Sequence, residues 1–61
     1  MYKGDFINHK KDGIGFFIQK NGDYYIGQFK DDLRNGKGTL YSSNGKIKQE
    51  GNWVFNVFIG N

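Results

Sequence analysis

Two short stretches have the residue types and spacing for phosphate chemistry: Gly13-Ile14-Gly15 in "DGIGFFI" and Gly36-Lys37-Gly38 in "NGKGTL". A glycine, one residue and a second glycine mark many loops whose backbone amides wrap around a phosphate. Such a loop needs a strand before it and a helix N-terminus after it, because the helix supplies the amide donors. Here "FFIQKNG" follows the first pair and runs into another turn, which leaves no room for a helix. The competing reading is that glycine stands where a ring from a neighbouring strand must lie flat across the backbone. On that reading Gly15 and Gly38 lie in strands beneath rings.

No other constellation carries catalysis. Ser42 and Ser43 stand beside Asn44-Gly45, where serine serves local hydrogen bonding in a turn. His9 has no recognisable nucleophile partner, and Asp31-Asp32 lacks the oxygen-ligand spacing of a calcium loop. With one histidine and no cysteine, a thiolate or histidine metal site within one chain is excluded. No enzyme activity and no cofactor are expected.

The elements that position these glycines emerge when the sequence is slid against itself. At an offset of 23, Tyr2, Gly4 and Phe6 fall on Tyr25, Gly27 and Phe29, while Gly13, Gly15 and Phe17 fall on Gly36, Gly38 and Leu40. Asn21-Gly22 falls on Asn44-Gly45 at the same offset, and Gly51 and Trp53 begin a third copy one residue late. Gln49 takes the tyrosine's place there, and the copy fades into "VFNVFIGN". Within each copy the period is two, which puts the aromatics and the glycine on one face of a strand. "INHKKD" and "KDDLRN" read as polar hairpin loops, and Asn-Gly between alternating segments is the strongest short hairpin signal. The expected fold is all-β: a single-layer antiparallel meander of stacked hairpins without significant helix. It forms one module over 1–61, with repeats at 2–24 and 25–48 and a partial third at 49–61.

These residues resemble consecutive MORN (membrane occupation and recognition nexus) repeats, whose pattern runs tyrosine-x-glycine-x-aromatic, a polar loop, glycine-x-glycine-x-apolar, then a turn. Tyr2, Gly4, Phe6, Gly13, Gly15, Phe17 and Gly22 meet it, and so do Tyr25, Gly27, Phe29, Gly36, Gly38, Leu40 and Gly45. The resemblance implies an elongated hairpin array without catalytic machinery. It also implies self-association and scaffolding roles near membranes or cytoskeleton. Similar repeats are appended to lipid kinases and to a lysine methyltransferase, so a regulatory fragment of such an enzyme is a third, weaker reading.

Nine basic residues, eight of them lysine, stand against six acidic ones for a net charge of +3. That mild bias does not demand an anionic partner, and arginine, the usual reader of phosphates and base edges, occurs once. Nucleic acid is not an expected partner, because the repeated rings are needed as the core of so thin an array. In the loops Lys11 falls on Arg34, with His9 and Lys10 beside it, giving a basic rim that would suit anionic lipid head groups. The stretch Trp53, Val54, Phe55, Val57, Phe58 and Ile59 carries no charge, where a repeat array should carry a polar cap. This segment is expected to make a self-association surface, with a two-fold dimer favoured; folding back as a cap is the alternative. The first expectation for function is a cytoplasmic module that binds itself and a protein partner. The runner-up is a membrane-surface adaptor.

Overall fold

The computed structural model describes residues 1–61. Six antiparallel strands pair in chain order in one open sheet: β1 (Tyr2–Ile7), β2 (Lys10–Ile18), β3 (Tyr24–Lys30), β4 (Leu33–Tyr41), β5 (Ile47–Val54) and β6 (Val57–Gly60). The slab measures 32 × 24 × 14 Å, so the fold is the single-layer meander that the two-residue period predicts.

The turns differ from their sequence reading. The β1–β2, β3–β4 and β5–β6 connections are two-residue turns with positive φ throughout: Asn8-His9 (51 and 66°), Asp31-Asp32 (50 and 70°) and Phe55-Asn56 (46 and 70°). Double positive φ matches the right-handed twist of the flanking strands and closes a hairpin tightly. The "polar loops" 7–12 and 30–35 therefore shrink to two residues each, and Lys10, Lys11 and Arg34 belong to strands. At the Asn-Gly connections only Gly22 and Gly45 have positive φ. Their amides donate to Gln19 O (3.0 Å) and Ser42 O (2.8 Å). Asn21 and Asn44 contribute side-chain oxygens instead, accepting from the amides of Asp23 (3.0 Å) and Lys46 (3.1 Å).

Strand register lines the repeat positions up across the sheet. Tyr2, Phe17, Tyr25, Leu40 and Gln49 form one row of directly paired residues, and Gly4, Gly15, Gly27, Gly38 and Gly51 form the next. Phe29 and Trp53 occupy a third row, with Lys11, Arg34 and Phe58 on the same side of the sheet. This ring face carries the core: Tyr25, Phe29, Leu40 and Trp53 are buried, with Tyr2, Phe17 and Phe58 packed on them. The opposite face carries Phe16, Tyr24 and Tyr41 as a half-buried ladder, Tyr24 stacking on Tyr41 at 4.9 Å.

The C-terminal segment is a third hairpin rather than a departure from the pattern. Phe55-Asn56 turns as Asp31-Asp32 does, and Gly60 (φ 97°) takes the conformation of Gly36 (φ 104°) 24 residues earlier. The sequence disguises this because a phenylalanine and an asparagine replace the aspartates at the turn.

Candidate interaction surfaces

The two glycines of each pair do different jobs. Gly13 (φ 83°) and Gly36 (φ 104°) sit where the β1–β2 and β3–β4 registers shift, in bulges that demand positive φ. The Gln28 side chain fills the second bulge, and its Oε1 accepts from the Lys37 amide at 2.8 Å. Gly15 and Gly38 instead lie in strands directly beneath the Tyr2 and Tyr25 rings, which would collide with any Cβ there. The hydroxyls of these two tyrosines donate to the carbonyls of Asp5 and Gln28, both at 2.9 Å. Burial raises the Tyr25 phenol above its ordinary pKa, with Arg34 pulling the other way. The amides near the second pair are thus occupied by the chain itself, and no helix follows. The pairs are packing devices.

Above the glycine row the rings form one zigzag. Phe6, Tyr2, Phe29, Tyr25, Trp53 and Phe58 meet in succession, with centroids 5.0–5.3 Å apart. The first four contacts are edge-to-face, each worth roughly 0.5–1.5 kcal/mol beyond buried area. The Trp53 indole donates to Gly38 O at 3.1 Å, tying the third repeat to the second.

The basic residues do not gather on one rim. His9 is in a turn, while Lys10 pairs with Ile7 one position out of phase with Lys11. Lys11 and Arg34 lie over rings: Lys11 Nζ is 4.8 Å from the Phe17 centroid, and Arg34 Cζ is 4.5 Å from that of Trp53. Burial on the rings lowers the Arg34 pKa below its ordinary value. The backbones at these two positions hold the next repeat. Asp32 Oδ1 accepts from the Lys11 amide (2.6 Å) while its own amide donates to Lys11 O (3.0 Å). Asn56 repeats both bonds with Arg34, at 2.9 Å each, and also accepts from the guanidinium at 3.2 Å. Aspartate and asparagine suit this second turn position because they tolerate positive φ and offer an acceptor. Sequence reading missed this clasp, whose signal was the recurrence of Asp32 as Asn56 24 residues on.

A second staple joins the turns. Asp23, 8% exposed, accepts from Lys48 Nζ (2.7 Å) and from the Ser43 amide (3.1 Å). The hydrogen bond from Lys48 leads the interactions that hold its pKa below the ordinary carboxylate value, against the opposing effect of burial. A depressed folded-state pKa means that its stabilisation is present above the unfolded carboxylate pKa, about 4, and is lost as pH falls through the lower folded value. Lys48→Met is therefore expected to lower urea resistance near neutral pH, with the gap to the parent chain closing at about pH 2. An equal gap at both pH values would remove the staple.

The C-terminal residues divide. Trp53 is 2% exposed and belongs to the core, and Phe58 packs on it. Phe55 (64%), Val57 (60%) and Ile59 (62%) are open, and Val54 is partly so. They surround β6, the edge strand on that side of the sheet. No three histidine, aspartate or glutamate side chains converge as they would to hold a metal ion.

No curated protein matches the chain. The family model for the MORN repeat matches residues 2–24 and 25–47, two consecutive repeats covering most of it. Tyrosine over glycine in each match, clasped repeat to repeat in one open sheet, is the arrangement those residues build here: the chain belongs to the MORN repeat family.

Proposed function

We propose that this chain is a non-catalytic association module that binds a protein partner on its ring face and a second copy of itself along β6. MORN repeats are in general interaction modules for proteins and membranes, which sets the class. The observation that carries self-association is the edge: β6 has no charged residue, and with the turn before it carries three apolar side chains at least 60% exposed, Phe55, Val57 and Ile59. An uncharged apolar edge strand is a template for pairing, and antiparallel pairing of β6 with its own copy hides both edges under a two-fold axis. It also adds buried area to a chain with a core too small for comfort.

Lipid binding has less support, since Lys10 lies on the face opposite Lys11 and Arg34 and His9 is in a turn. Sedimentation across a micromolar concentration series tests self-association. The chain is expected to move from one copy to two, and Val57→Lys with Ile59→Lys is expected to hold it at one copy while it stays folded. A folded single copy throughout the series for the parent chain would overturn the dimer.

A further inference from the structure

We propose that the hollow between Lys11 and Arg34 on the ring face receives an acidic side chain of the protein partner, flanked by apolar residues. This rests on the reading of the chain as a protein-binding module and names the chemistry that it recognises.

The hollow holds about 180 Å³, room for a side chain and not for an element. Its walls are Lys11, Arg34, Asp32 and Asn56, with Gln19 at the border and the Phe17 and Phe29 rings as apolar lining. Most of this polar lining is already committed. Asp32 and Asn56 are spent on the clasps, and Arg34 directs two of its nitrogens to Asn56. Lys11 is different. Its ammonium lies 4.8 and 5.5 Å from the Phe17 and Tyr2 centroids and makes no hydrogen bond or ion pair within the chain. A cation held against rings is partly stripped of water, so an arriving anion meets a stronger field than it would at a free surface lysine.

Charge decides which anion fits. Two cations and one carboxylate border the hollow, a balance of one positive charge. A monoanionic carboxylate neutralises it, whereas a phosphate dianion would leave an excess negative charge beside Asp32. Of the other acids, Asp5 and Asp12 lie close enough to the Tyr2 phenol to add to the rise in its pKa that burial causes. Glu50 pairs with Thr39 on the opposite face, and Asp23 is bound to Lys48. Beside the hollow Phe6, paired with Lys11, is 58% exposed and offers an apolar contact to the partner's neighbouring residue.

The test is selection of a displayed random-peptide library on the intact chain, followed by affinity measurement with synthetic peptides. Selected peptides are expected to share an aspartate or glutamate next to apolar residues. Changing that acid to its amide is expected to weaken binding about tenfold or more. Lys11→Met keeps the stem over the rings and removes the charge; it is expected to weaken the acidic peptide comparably and to abolish the distinction between acid and amide. Apolar peptides without a shared acid would overturn this proposal while leaving the protein-binding reading in place. No selected peptide, with Lys11-dependent capture of phosphatidylserine vesicles, would overturn both in favour of a membrane surface. Neither ligand binding would also overturn both.

Discussion

Tyr25→Ala is expected to leave the chain unfolded at 25 °C. Tyr25 is fully buried (0% exposed) at the centre of the ring zigzag, 5.1 Å from Phe29 in its own repeat and 5.3 Å from Trp53 in the next. Removing a large buried aromatic costs about 3–5 kcal/mol. A single core in a chain of this size rarely supplies more than about 3–5 kcal/mol in total. The loss therefore equals the whole stability. Tyr25→Phe keeps the ring and gives up only the bond to Gln28 O, so it should cost about 1 kcal/mol and remain folded. Circular dichroism with urea titration of both variants checks the pair. A folded Tyr25→Ala chain with near-parent urea resistance would show that the core lies elsewhere.

Gly27→Ala should be nearly as damaging, for a different reason. A Cβ at Gly27 would collide with the Gly38 backbone and come within 2.7 Å of Lys37 O, so the obstacle is the neighbouring strand itself. Backbone cannot rotate out of the way as a side chain can. Overpacking of this kind costs about 1–3 kcal/mol and sometimes more. The β3–β4 pairing has to open to admit one methyl group. Gly45→Ala is the control. Unlike Gly27 it has positive φ, and a Cβ there would meet only the Tyr24 hydroxyl at 3.8 Å, so its cost is limited to backbone strain of about 1–2 kcal/mol. Urea midpoints of the two variants, ranked against the parent, give the comparison.

The fold was legible because its determinants are local and repeated. Tyr2, Gly4 and Phe6 alternate with polar residues, and their recurrence as Tyr25, Gly27 and Phe29 fixes strand, face and repeat length together. The turn conformations were less legible. Asn21-Gly22 looks like a two-residue hairpin turn, yet the chain uses that geometry at Asn8-His9, Asp31-Asp32 and Phe55-Asn56, and at the last two the preceding repeat supplies hydrogen bonds that no local propensity encodes. The third hairpin was hidden for a related reason: Phe55-Asn56 keeps the turn and the Asn56 clasp while changing the residue types.

The surfaces were the least legible, because facing depends on bulges. Lys10 and Lys11 are neighbours in sequence and read as one basic patch, but the two-residue turn sends them to opposite faces. Lys11 and Arg34, 23 residues apart, border one hollow instead. Trp53 begins the apolar C-terminal run, yet period-two alternation takes it into the core and leaves Val54 outside.

The most direct test of ring-over-glycine packing is a double-mutant cycle between Tyr2 and Gly15 in urea unfolding. Tyr2 lies on the edge strand and is only half-buried, so its loss is survivable where that of Tyr25 is not. The atoms nearest to a Cβ at Gly15 all belong to the Tyr2 ring. Gly15→Ala should therefore cost about 1–3 kcal/mol beside tyrosine and close to nothing beside Tyr2→Ala, a coupling within the range of residues in direct contact. Equal costs in the two backgrounds would mean that the glycine is kept for something other than the ring above it.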